Sequence, residues 1–150
     1  MSLPASSCPI THARPEDLVA LRHAVLRPTL PIDSARFPGD LEPTTIHLCA
    51  RADSVVVACA SFMAIPFAGR DAYQLRGMAT DPSIRGTGVG ARLLAHGSGL
   101  VAARGIDLLW CNARCSAVGF YRKQGWTVVS PEFDIPTAGP HVKMTAEPRR

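Results

Sequence analysis

Lysine is nearly missing from this 150-residue chain. Of sixteen lysine and arginine residues only Lys123 and Lys143 are lysines. Arginine prefers planar, bidentate pairing with carboxylate or phosphate. The formal net charge is +4 and the pI about 9.0. The basic residues are scattered, and aromatics make up only 6%. With no basic cluster and no interleaved aromatics, a nucleic-acid partner is not expected. No apolar run approaches the roughly 20 residues of a membrane span. Met1-Ser2-Leu3-Pro4 shows no basic region followed by an apolar block, so no signal peptide is expected. The five cysteines form no CxxC, so neither a disulfide framework nor a metal site is expected. Cys49, Cys59 and Cys111 lie in apolar runs and read as buried free thiols. Together these features point to a reducing, cytoplasmic setting.

What is present is an ordinary globular composition, 47% apolar and 19% charged, enough for one domain with a proper core. Residues 1–9 read as a loose arm and Ile10 to Ala13 as a short strand. Pro15-Glu16-Asp17 opens a helix that Pro28 ends. Residues 28–43 form a long, proline-rich loop. Strands are expected over 44–51, 54–65 and 73–80, then a helix over 89–104 that Gly97 and Gly99 weaken by roughly 1 kcal/mol each. A strand over 106–112, a short helix over 116–124, and strands over 126–130 and 141–145 complete the chain. The order implies a mixed sheet of about six to seven strands with helices on both faces, an α/β (α+β) architecture.

The densest signal is Arg85-Gly86-Thr87-Gly88-Val89-Gly90, between a strand and a helix. Three glycines in five residues permit a tight turn and close approach of a ligand. The helix behind them aims free N–H groups and a positive dipole end at the loop, which is an anion cradle. No Gly-Lys-Ser/Thr follows, so it is not a Walker A loop. The spacing is GxGxG rather than GxGxxG, and no early strand leads into it as in a Rossmann unit.

The pattern Arg-x-x-Gly-x-Gly resembles the pyrophosphate-binding signature of the GCN5-related N-acetyltransferase (GNAT) superfamily. Gln74 to Pro82 looks like that family's strand and turn before the loop. Ala117-Val118-Gly119-Phe120-Tyr121-Arg122-Lys123-Gln124-Gly125-Trp126 resembles its second motif. Asn112-Ala113-Arg114 and Gly139-Pro140-His141-Val142-Lys143-Met144 are similar to the ElaA-like branch.

The resemblance implies a single N-acetyltransferase domain over residues 1–150, with a splay between the 73–80 and 106–112 strands. Acetyl-CoA would lie there, on Met78, Ala79 and Thr80, on Arg85 to Gly90, and on Asn112. Tyr121 would give a proton to the departing thiolate. His141 is the first candidate for general base, with His23, Glu132 and Asp134 as alternatives. Arg76 and Arg114, with Arg22 from the first helix, suit an acceptor bearing an anionic group. A structural network holding the splayed strands is the alternative for Arg76, Asn112 and Arg114. The activity implied is direct transfer, through a ternary complex, to a primary amine of a small molecule or peptide. A non-catalytic acetyl-CoA sensor is the alternative, and the same resemblance implies a homodimer through the last strands.

Overall fold

A computed structural model describes residues 8–149 of the chain. The first seven residues of the expected N-terminal arm lie outside that range. The strands are β1 (Ile10–His12), β2 (Ile46–Ala52), β3 (Val55–Ala64), β4 (Tyr73–Thr80), β5 (Leu109–Arg114), β6 (Thr127–Val128), β7 (Phe133–Ile135) and β8 (Gly139–Ala146). The helices are α1 (Val19–Leu26), α2 (Val89–Ala103) and α3 (Val118–Lys123). Among the described residues the strands form one mixed sheet in the order β1-β2-β3-β4-β5-β8-β6, with β7 also pairing to β8. The pair β4–β5 is parallel; β1–β2, β2–β3, β5–β8, β6–β8 and β7–β8 are antiparallel.

The chain packs as two compact units. The first runs up to Met63 and adds Gly77–Gly97; the second takes Ala64–Arg76 and the residues from Ser98 on. In the first unit β2 and β3 form a hairpin. Asp53 and Ser54 both have positive φ (51° and 70°), the conformation a two-residue hairpin turn needs to match strand twist. Leu18 and Leu21 pack against Cys49, Cys59 and Ala79, joining the first helical segment to the strands. Pro15–Leu18 is a 3-10 turn that feeds α1.

Gly97 has a packing reason that outweighs its poor helix propensity. A Cβ there would collide with the ring of Phe62, which is fully buried on β3. Glycine lets α2 approach the strand closely.

In the second unit β5 pairs along its whole length with β8, from Leu109↔Ala146 to Arg114↔His141. The ladder between β4 and β5 covers only Tyr73↔Leu109 and Gln74↔Trp110, the first positions of both strands. That short ladder accords with the expected splay. The largest departures from expectation lie in this unit. β5 runs from Leu109 to Arg114 rather than over 106–112, and just before it Leu108 O accepts from Tyr73 N–H (3.0 Å). Only Thr127–Val128 of the 126–130 run pairs as strand, and β7 was not anticipated at all.

Candidate active site

The first unit holds the anion cradle. Asp81 shapes its entry: its carboxylate accepts from the Ser83 N–H (2.9 Å) and hydroxyl (2.7 Å). Those bonds hold the Asp81 carboxyl below the ordinary carboxylate range, with Arg85 adding a smaller pull. Gly86 and Gly88 adopt φ of +80° and +87°, with nothing within 4 Å of where a Cβ would stand. Their demand is therefore conformational and leaves open space for a ligand. Thr87 is pinned by its hydroxyl, which donates to Ile84 O (2.6 Å). The helical ladder of α2 starts with Arg92 N–H donating to Gly88 O (3.1 Å). The amides of Val89, Gly90 and Ala91 thus stand ahead of the ladder as the orphan donors of a helix N-terminus. Arg85, Gly86, Thr87 and Gly88 are exposed, and Val89 is buried beneath them. Such a surface fits a pyrophosphate, and the residues present suit coenzyme A. Met78 and Thr80 are half-buried and Ala79 buried on the strand just before it.

Arg22 departs from its expected place on the acceptor side. It is fully buried, and its guanidinium makes a bidentate pair with Asp40 (2.7 and 3.1 Å). It also donates to Ala35 O (3.1 Å) and Ser61 Oγ (2.8 Å), and lies 4.2 Å over the Phe37 ring. His47 closes the network. Its Nε2 faces Asp40 O (2.8 Å) and so donates, which makes Nδ1 the acceptor for the Ser61 hydroxyl (2.6 Å). Arg22 is a structural anchor rather than an open anion site, because its terminal nitrogens are already occupied. Its Nε, without a partner among the described residues, lies against Gly77. A Cβ on Gly77 (φ +61°) would stand 2.9 Å from that nitrogen and 2.8 Å from Phe37.

The second unit holds the residues expected to do the chemistry. Tyr121, on α3, is buried with only 8% exposure, its ring against Phe120 (5.3 Å, edge-on) and Trp126 (5.4 Å). Its carbonyl accepts from Gln124 N–H (2.9 Å) and Trp126 N–H (3.1 Å), which fixes the end of the helix. Burial, and to a lesser degree the neighbouring Cys111, push the phenol above its ordinary value. The phenol is therefore a persistent donor at neutral pH.

His141 is buried opposite Arg114 in the β5–β8 register. Its Nδ1 lies 2.8 Å from Gly139 O and must donate there, so the neutral ring carries its lone pair on Nε2. Phe133 packs beside the ring at 6.2 Å. Asn112 was expected on the cofactor; its Oδ1 instead accepts from Lys143 Nζ (2.9 Å). Lys143, which the sequence did not single out as a site residue, sits over the rings of Trp110 (5.1 Å) and Phe133 (5.2 Å). Trp110 is fixed in turn by donation to Ile65 O (3.0 Å). Cation–π contacts of this kind are worth about 0.5–1 kcal/mol each where solvent reaches them. Only the register Asn112↔Lys143 reveals this grouping, and no local pattern carries it.

The model of the acetyltransferase (GNAT) family matches residues 14–126. This chain belongs to the GNAT family. The uncharacterized N-acetyltransferase YitI of Bacillus subtilis (strain 168) is 36% identical over 132 residues, which are 86% of this chain and 89% of YitI. A crystal structure of an aminoglycoside 6'-N-acetyltransferase complexed with coenzyme A matches with a TM-score of 0.76 at 16% identity, over 95% of this chain and 98% of that one. Escherichia coli ElaA matches with a TM-score of 0.76 at 17% identity, over 92% of this chain and 98% of that one. These two similarities are of fold. The GNAT protein is an acyl-CoA-dependent acetyltransferase with acetyl-CoA as its acyl donor. Among its described residues no helix is long and apolar enough to cross a membrane.

Proposed function

We propose that residues 1–150 act as one N-acetyltransferase domain. It moves an acetyl group from acetyl-CoA directly to a primary amine of a small molecule or peptide, with both substrates bound together. The observation that carries this is the loop at Gly86 and Gly88, where two left-handed residues face open space ahead of a helix with unpaired N-terminal amides. Hydrogen bonds to a charged group contribute roughly 1.5–3 kcal/mol each, so a few such amides give micromolar binding, about 8 kcal/mol.

Acetyl-CoA supplies the acyl group as an activated thioester. The backbone groups of Met78 and Thr80 hold the cofactor arm, and the Gly86–Gly90 segment with Arg85 holds its pyrophosphate. A backbone N–H at Met78 or Ala79 stabilises the oxyanion that develops as the amine attacks. His141 takes a proton from the incoming ammonium at Nε2, directly or through water. Tyr121 offers its phenolic proton to the departing sulfur. A thiol titrates near 8.5, below a phenol raised above about 10, so complete transfer from Tyr121 is uphill. Its part is a strong hydrogen bond to the developing thiolate, with the amine's proton completing the thiol.

The five cysteines, none in a disulfide among the described residues, fit a reducing compartment, and a cytoplasmic location belongs to the proposal. A homodimer through the last strands also belongs to it, and light scattering on the purified protein tests that part. The central test is turnover of acetyl-CoA with a panel of amines, following both coenzyme A release and the acetylated product. One equivalent of each is expected. Stabilisation by acetyl-CoA without transfer to any amine would make the chain a binding module.

A further inference from the structure

The second unit presents a cationic face. Asn112 and Arg114 of β5 stand opposite Lys143 and His141 of β8, so all four project from the same side of the sheet. Trp110 shares that side by alternation along β5. On β4, Gln74 pairs with Trp110, and Arg76, two residues on, projects to that same side. Two arginines and a lysine therefore lie on the same side of β4, β5 and β8.

Lys143 is the most informative of them. It is one of two lysines in the chain. A surface lysine normally samples many rotamers; this one is held between two aromatic rings and bonded to Asn112 Oδ1. An ammonium has three donors, and Asn112 takes one. Among the described residues no carboxylate lies within ion-pair distance of Lys143. The acids on the neighbouring segments, exposed Glu147 just past β8 and Glu132 and Asp134 around β7, do not supply one. Glu132 and Asp134 are exposed; desolvation raises the Cys115 thiol, and these two acids add a smaller electrostatic push. Asp134 also alternates away from Phe133, the ring that contacts Lys143. The result is a fixed cation with donors in reserve, a preorganised arrangement for an anionic ligand.

We infer that the acceptor amine carries an anionic group, a carboxylate or a phosphate, which seats on this face with Lys143 as its fixed point charge and Arg114 and Arg76 beside it. The amine part of this statement rests on the acetyl-transfer proposal; the anion rests on Lys143 and its fixed setting alone.

The test uses matched acceptors: β-alanine against its amide, and phosphoethanolamine against ethanolamine. The anionic member of at least one pair is expected to have a kcat/KM about tenfold or more above its neutral partner. Which pair shows it separates carboxylate from phosphate. The preference should shrink as KCl is raised. Lys143→Met keeps an apolar stem between the rings and should bring the ratio close to one, whereas Lys143→Arg should keep most of it. If Lys143→Met fails to fold, Arg114→Gln, at an exposed position, must still reduce the ratio severalfold. Equal turnover within both pairs, or a ratio unmoved by the folded variants, overturns the inference while leaving acetyl transfer intact. If no amine is acetylated, calorimetry on the coenzyme A-saturated protein decides. Tighter binding of β-alanine than of its amide, or of phosphoethanolamine than of ethanolamine, upholds the anionic face although transfer has failed. No difference in either pair overturns it.

Discussion

A tyrosine can donate to a departing thiolate only while it keeps its proton, and Tyr121 is built to keep it. Burial against Trp126 and the nearby Cys111 raise its phenol above the ordinary value of 10.0. The kcat–pH profile should therefore show no descending limb assignable to Tyr121 below about pH 10. A descending limb near pH 9 that vanishes in Tyr121→Phe would contradict this assignment. At Arg22 the residue scale is structural. Removing one partner of a buried, hydrogen-bonded ion pair leaves the other charge unpaired, at about 3–5 kcal/mol. Asp40→Ala should lose about that much in denaturant unfolding, with the midpoint lowered at an unchanged slope.

At the scale of elements, the loop before α2 combines sequence and backbone most tightly. Gly88→Ala meets open space, so its cost is the left-handed conformation, roughly 1–2 kcal/mol. The loop should relax rather than the fold fail. The expected result is a raised KM for acetyl-CoA with a small drop in melting temperature, measured side by side. The loop, its helix and strand β4 were legible because their signals are contiguous; β4 spans the expected residues 73–80. β7 was not, because a three-residue strand, Phe133–Ile135, is too short to display alternation. The Arg22 network was also hidden: Asp40 and Ser61 lie 18 and 39 residues away, and nothing local announces a partner at that range. Lys143 was within a quoted motif, yet its aromatic neighbours appear only once β5, β7 and β8 are in register.

At the scale of the whole molecule, buried neutral acids set the response to alkali. Burial pushes the Cys59 and Cys111 thiols up to about 12 from 9.0, and the Tyr121 phenol rises as well. The folded state thus holds protons that the unfolded chain releases from about pH 9 upward. The stability from these groups is fully present below pH 9 and declines as pH rises toward 12. Unfolding free energy measured between pH 8 and 11 should fall. Substituting Cys59 and Cys111 by alanine should flatten that slope, even though the cavities lower stability at every pH.

The central claim is that this chain transfers acetyl directly, with Tyr121 assisting the departing thiol. The most direct measurement is steady-state turnover of Tyr121→Phe beside the wild type, with both acetyl-CoA and an accepted amine varied. Intersecting initial-rate patterns are predicted for the wild type. In the variant, kcat should fall about 10–10²-fold, the loss of a hydrogen bond to the developing thiolate, with the KM for acetyl-CoA little changed. Parallel, ping-pong patterns, or a Tyr121→Phe protein that turns over at the wild-type rate, would contradict it.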